Sequence, residues 1–126
     1  MRAVPDTRVV VAADVAPLEG DLAVSAVTLA ELHSGVLVAA DAAVRAERLR
    51  RLTRLQRQFD PLPVDDDVAA GYGRLAAAVV AAGRGPRARS LDLLVAATAL
   101  VHDARRYTQN AADLVGADDL VEVVSV

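Results

Sequence analysis

The chain contains no cysteine, no lysine and no tryptophan, and only one phenylalanine and two tyrosines. Without cysteine there is no disulfide framework, no thiol nucleophile and no zinc–thiolate site. Without lysine no mechanism that needs a side-chain amine is available, and all 14 cations are arginines. A receiver-type signalling domain, which relies on a lysine after its last strand, is excluded on that ground. Aromatic residues make up 2% of the chain while hydrophobic residues reach 54%, so the core has to be built from Ala, Val and Leu. The seven glycines are scattered and form no G-x-G-x-x-G, which argues against a dinucleotide-binding turn. Charge interrupts every apolar run well before 18 residues, so no membrane span is predicted. The opening residues do not read as a signal peptide, and a cytoplasmic protein is expected. With 126 residues and a net charge of −3, we expect a single domain over 1–126 with a sizeable core.

The chain is organised around Ser90–Val101, SLDLLVAATALV, in which Asp92 is the only charge. This run predicts a helix buried on all sides. Ser90 suits the N-cap, which places Asp92 in the first turn, where free N–H groups favour an anion. A carboxylate on an otherwise buried helix is normally paired or metal-bound; a first-turn Asp reaching solvent is the plainer alternative.

Residues 2–5 form a short apolar stretch ending at Asp6, and Val9–Ala13 is a second one, strand or first helix. Ala16–Asp21 reads as a loop, Leu22–Ser25 as a short buried strand and Val27–Ala39 as a helix. Thr28-Leu29-Ala30-Glu31 has the S/T-x-x-E pattern of a capping box. Asp41–Phe59 is the clearest amphipathic helix: Leu49, Leu52, Leu55 and Phe59 share one face, and Arg50, Arg54 and Arg57 another, widened by Arg45, Arg48 and Arg51. Such a face is ordinarily solvated, or is an electrostatic footprint for RNA phosphates. Pro61–Val64 is extended, Asp65-Asp66-Asp67 opens a helix running to Ala82, and Gly83–Arg89 is a basic loop. Arg105–Thr108 reads as a strand, Asn110–Asp113 as a helical turn and Leu120–Val124 as a last strand.

Alternating helices and short strands predict an α/β fold, a parallel sheet with helices on both faces. In such sheets ligands bind beyond the carboxyl ends of the strands. Asp6, Glu31, Asp92, Asn110 and Asp113 fall at those ends. Each has a structural use as well: Asp6 as an N-cap, Glu31 as capping-box partner, Asp92 as dipole complement, Asn110 and Asp113 as cap and first-turn acid. Together they would crowd carboxylates that cannot all ionise without a cation. An all-oxygen site of that kind suits Mg2+ or Mn2+.

At Asp6-Thr7, Ala23–Gly35 (AVSAVTLAELHSG), Ser90–Leu100 and Thr108–Leu114 (TQNAADL) the chain resembles PIN-domain ribonucleases of the VapC toxin type, over essentially its whole length. The resemblance implies a three-layer α/β/α fold with a mostly parallel sheet of about five strands. It implies metal-binding roles for Asp6, Glu31 and Asp92, with Asn110 at the family's fourth position and Asp113 as an assisting acid and further metal ligand. Thr7 and Thr108 would support these groups by hydrogen bonds. The implied activity is Mg2+- or Mn2+-dependent endonucleolytic hydrolysis of RNA (tRNA, rRNA or mRNA) by a toxin that forms a homodimer. Its VapB-type antitoxin would send a tail into the acidic groove. Arg50, Arg54, Arg57 and Arg87 are the candidate RNA-binding residues. The two histidines, His33 and His102, are expected to be structural or surface residues.

Two positions depart from the family pattern. Arg8 replaces a small hydroxylated residue, and its guanidinium is expected either to displace metal by pairing with Asp6 or Asp92 or to contact substrate phosphate. Pro5 is expected to remove a ladder hydrogen bond from the first strand. These departures leave an alternative function: a catalytically impaired PIN-fold protein that dimerises and captures an antitoxin without cleaving RNA.

Overall fold

The computed structural model describes residues 2–11 and 21–126. Of the loop expected over Ala16–Asp21, residues 16–20 lie outside the described residues, and Asp21 belongs to a strand. Strand β1 (Arg2–Pro5) leads into a short helix, α1 (Thr7–Val11), and a two-residue strand, β2 (Asp21–Leu22). Helices α2 (Ala26–Val38), α3 (Ala42–Gln58), α4 (Asp66–Ala81) and α5 (Ser90–Val101) follow, and strands β3 (Arg105–Thr108) and β4 (Val123–Ser125) complete the chain. The described strands form a four-stranded sheet in the order β2-β1-β3-β4, parallel throughout. That is one strand fewer than the resemblance implies. Ser25 adds only an isolated parallel bridge to Leu62.

Helices cover both faces of this sheet. Val4 belongs to the main core, in which α4 contributes Val68, Leu75 and Val79 and α5 contributes Leu93, Val95, Ala96, Ala97 and Ala99. Val10, Leu32, Val36 and Leu52 form a second cluster from α1, α2 and α3. Both clusters are aliphatic, as the scarcity of aromatics requires. No helix among the described residues is long and apolar enough to cross a membrane.

The acids at helix starts act largely as caps. Asp41 accepts from Ala43 N at 2.7 Å and opens α3. Asp65 accepts from Val68 N at 3.0 Å and opens α4, whose first turn carries Asp66 and Asp67. On α3, Leu52 is buried and Leu55 and Phe59 are partly so, but Leu49 is 51% exposed and does not join that face.

The strand expected over Leu22–Ser25 is instead Asp21–Leu22, and three other boundaries differ from the sequence reading. The N-cap of α2 is Ser25, which the bridge to Leu62 holds in an extended conformation while its Oγ accepts from Val27 N at 3.0 Å. Thr28 is therefore already helical and buried, and no capping box forms between it and Glu31. Ser90 is likewise not a cap: a 3-10 turn over Arg87–Arg89 runs directly into α5, and Ser90 Oγ donates to Arg87 O at 2.9 Å. The last strand starts at Val123 rather than Leu120, because Leu120 N and Val121 N both bond to Ala117 O in a turn.

Pro5 leaves the pairing of β1 with β3 intact. Asp6 N donates to Tyr107 O at 2.9 Å, while Ala3 O accepts from Ala23 N on the β2 side. Backbone groups alternate sides along a strand, so the nitrogen of Pro5 faces the β2 edge. Pairing with β2 stops there at Ala3↔Leu22. The next rung of that ladder would run from the nitrogen of residue 5 to Ala23 O, so the missing donor of Pro5 coincides with the end of the β2 pairing, while the β3 side is intact.

Candidate active site

Strands β1 and β3 are neighbours whose chains leave toward opposite edges of the sheet, so their carboxyl ends flank a topological switch point. A cavity of about 410 Å³ opens there, lined by Asp6, Thr7, Arg8, Glu31, Arg87, Ala88, Arg89, Ser90, Leu91, Asp92, Asn110 and Asp113. All five residues singled out at strand ends in the sequence thus line one pocket, delivered by β1, α2, α5 and the turn after β3.

Asp6 is the most firmly held. It is buried, its Oδ1 accepts from Val9 N at 2.8 Å as the cap of α1, and its Oδ2 accepts from Thr108 Oγ1 at 2.7 Å. Thr108 Oγ1 in turn accepts from Asn110 N at 3.0 Å, which ties the turn after β3 to Asp6. Asn110 Nδ2 donates to Asp113 Oδ2, and Arg89 Nε lies 3.8 Å from Asp113 Oδ1. Glu31 Oε1 accepts from Thr7 Oγ1 at 2.6 Å. Both threonines assigned supporting roles therefore touch a candidate acid directly.

The sequence reading missed Arg106. Among the described residues it is the largest fully buried side chain, 0% exposed. In register it stands opposite Val4, and so shares the sheet face that packs on α5. Its Nη2 lies 4.0 Å from Asp6 Oδ2 and 3.9 Å from Asp92 Oδ1. Nη1 donates to Tyr107 O at 3.0 Å, but Nε and Nη2 make no hydrogen bond. Burial pulls the pKa of Arg106 down, against the opposing pull of Asp6, Asp92 and Glu31; a guanidinium nonetheless stays protonated.

Asp92 occupies the first turn of α5, as expected. Partial burial raises its pKa; Arg106 opposes that rise, and Asp113, Asp6 and Glu31 add to it. Arg8 lines the same pocket but is exposed and pairs with neither Asp6 nor Asp92. The guanidinium next to those carboxylates is that of Arg106.

The donors Asp6, Glu31, Asp92 and Asp113 are all oxygen, a set whose chemistry fits Mg2+ or Mn2+. The mutual repulsion felt at Asp92 gives a cation a reason to enter. Among the described residues no three of these acids stand close enough to enclose an ion, so binding requires the side chains to draw together. Arg87 and Arg8 are exposed at the rim of the pocket. Arg50, Arg54 and Arg57 are elsewhere, along a separate shallow groove of α3 with Leu49. His33 is exposed near Gln56, and His102 Nδ1 lies 3.2 Å from Arg2 Nη1; neither lines the pocket.

Known proteins share this sequence pattern and fold. A family model described as PIN domain matches residues 3–116. Ribonuclease VapC5 of Mycobacterium tuberculosis is 43% identical over 86 residues, which are 68% of this chain and 62% of that protein. Ribonuclease VapC8 of Mycobacterium tuberculosis is 38% identical over 98 residues, 75% of this chain and 87% of that protein. The match thus spans less than two thirds of VapC5. The crystal structure of VapBC-5 from Mycobacterium tuberculosis, a member of the VapBC family of toxin-antitoxin systems, superposes with a TM-score of 0.85. There the identity is 39%, and 99% of this chain and 98% of that one are covered. The fold, the pocket at its switch point and these matches lead to one conclusion: the chain belongs to the PIN-domain family.

Proposed function

We propose that this chain is a metal-dependent endoribonuclease, the toxin of a type II toxin–antitoxin pair, with its active site in the pocket between β1 and β3. The observation that carries the reading is the convergence of Asp6, Glu31, Asp92, Asn110 and Asp113 from four separate stretches of chain on one cavity. The naming of the relatives VapC5 and VapC8 as ribonucleases supports it.

In this reading Asp6, Glu31, Asp92 and Asp113 hold Mg2+ or Mn2+. When bound, the ion polarises the phosphodiester, lowers the pKa of a water and stabilises the leaving oxygen. The chain's own residues set the stage. Thr108 and the α1 N-terminus fix Asp6 before substrate arrives, and Thr7 fixes Glu31. Asn110, held against Asp113, orients a water beside the scissile phosphate. Arg8 and Arg87 at the rim receive flanking phosphates. The arginine face of α3 extends the footprint along the RNA. The VapBC-5 structure supports an antitoxin partner, whose tail would occupy the same pocket, and a homodimer is the assembly we assign.

One observation favours the second reading, an antitoxin-binding protein without cleavage: a guanidinium already stands beside two of the carboxylates. Cleavage assays on defined RNAs with the parent chain, Glu31→Gln and Asp92→Asn separate the two. The nuclease reading expects cleavage by the parent and none by either variant. Absence of cleavage by a parent chain that binds antitoxin supports the second reading.

A further inference from the structure

We propose that Arg106 is the resident counter-cation of the pocket: it offsets part of the charge of Asp6 and Asp92 without metal, and a divalent ion has to bind against its charge. The second half rests on the metal-site reading above. Three observations carry the proposal. Arg106 is wholly buried, yet two of its three guanidinium nitrogens, Nε and Nη2, have no hydrogen-bond partner. A buried cation in that state is unfavourable unless opposite charge compensates it. Nη2 stands almost equally far from Asp6 Oδ2 and Asp92 Oδ1, 4.0 and 3.9 Å, close enough for attraction but too far for a hydrogen bond. Compensation is therefore coulombic and shared between the two acids. Finally, Asp6 Oδ2 already accepts from Thr108, so Arg106 supplies charge where the hydroxyl supplies geometry.

A fixed positive charge beside two metal ligands opposes any ion that joins them. Because Arg106 is wholly buried, that repulsion is screened less than that of a surface charge. Arg106 is thus a positioning residue: it acts on the reaction through the carboxylates and the affinity of the site for metal. It also takes the part that the sequence reading gave to Arg8, whose exposed guanidinium is screened by solvent.

The test is calorimetric titration of the full chain with MnCl2. The proteins are the parent, Arg106→Met, Arg106→Gln, Arg106→Lys and Arg8→Ser. Met keeps the volume of the stem, Gln keeps a donor, and Lys keeps the charge. Both neutral variants should bind Mn2+ about tenfold or more tightly than the parent. The Lys variant should stay near the parent, and Arg8→Ser should change little. Equal affinity in the parent and the neutral variants overturns the proposal, and so does an equal gain in the Lys variant. A second arm omits metal. In chelator, Asp92→Asn should raise the melting temperature more in the Arg106→Met background than in the parent, because repulsion at Asp92 is then unrelieved. Equal shifts in the two backgrounds overturn the counter-cation role even if Mn2+ binds as expected. Binding of Mn2+ by none of the five proteins removes the metal-site reading and overturns the competition, whereas unequal shifts in chelator still uphold the counter-cation itself.

Discussion

Thr108 Oγ1 donates to Asp6 Oδ2 at 2.7 Å across 102 positions of sequence, and accepts from Asn110 N at 3.0 Å. One buried hydroxyl thus joins the end of β1 to the turn that follows β3. We expect Thr108→Val, which keeps the shape, to destabilise the protein by about 1–3 kcal/mol through the unsatisfied groups it leaves. It should also depress RNA cleavage, because Asp6 loses its orienting donor. Thr108→Ser should restore most of both. Denaturant unfolding and cleavage of one RNA by the three proteins check this; a Val variant equal to Ser in both assays contradicts it.

Asp92→Asn should abolish cleavage while stability at neutral pH holds or rises. The pKa of Asp92 is raised above its ordinary value of 3.8, burial being the largest cause. The sign follows from linkage: the favourable contribution of the protonated form is complete below the unfolded pKa and is lost as pH rises through the higher folded pKa. The advantage of Asn over Asp should therefore be largest at neutral pH and shrink in acid. Melting curves across that range decide it, and an advantage that grows toward acid pH contradicts the assignment.

Arg8 sits exposed at the pocket rim without pairing to Asp6 or Asp92. Arg8→Ser should therefore weaken RNA binding and raise KM, with kcat little changed, rather than revive a blocked site. Steady-state cleavage kinetics provide the readout. A rise in kcat on substitution would return Arg8 to the inhibitory role expected from the sequence.

On α3, replacing Arg50, Arg54 and Arg57 with Gln should weaken RNA binding and flatten its salt dependence. For a single strand the log–log slope should fall by about 0.7 for each phosphate that is no longer neutralised. Arg50 should matter least, since it already pairs with Glu47 at 2.6 Å. Binding isotherms at several salt concentrations measure the slope. Parallel isotherms for parent and triple variant make this face ordinary solvated surface.

Gly116 follows the turn that carries Asn110 and Asp113. Its φ is +95°, and a Cβ there would lie 2.8 Å from Ala78 O and from Ala82 Cβ on the α4 side. Gly116→Ala should cost about 1–3 kcal/mol from backbone strain, and more from the clash. An unchanged unfolding midpoint would mean that this turn is free to shift.

Much of the molecule was legible because local chemistry and tertiary role coincide. Asp41 and Asp65 cap the helices they were read to open; α5, expected to be buried on all sides, is buried at Leu93 and from Val95 to Ala99, while Leu91 and Val101 at its ends are exposed. Asp6, Glu31, Asp92, Asn110 and Asp113 could be grouped because the ends of parallel strands meet on one edge. Tertiary contacts decided the rest. Thr28 looked like a cap, but the bridge between Ser25 and Leu62 starts the helix earlier. Pro5 faces the β2 edge, where pairing stops at Ala3↔Leu22, and only the tertiary pairing shows that the β3 side is untouched. Arg105 and Arg106 are adjacent identical residues, and nothing local says which one turns inward. Register does: Arg106 stands opposite Val4 on the core face, while Arg105 reaches the exposed Glu122 at 3.0 Å.

In the proposed reaction the pocket between β1 and β3 hydrolyses RNA with a divalent cation held by its carboxylates. The decisive assay incubates the purified chain with defined RNAs in Mg2+, in Mn2+ and in chelator, beside Asp92→Asn. Endonucleolytic products are expected with either ion, and none in chelator or from the variant. Cleavage that persists in chelator, or that survives the loss of Asp92, would contradict it.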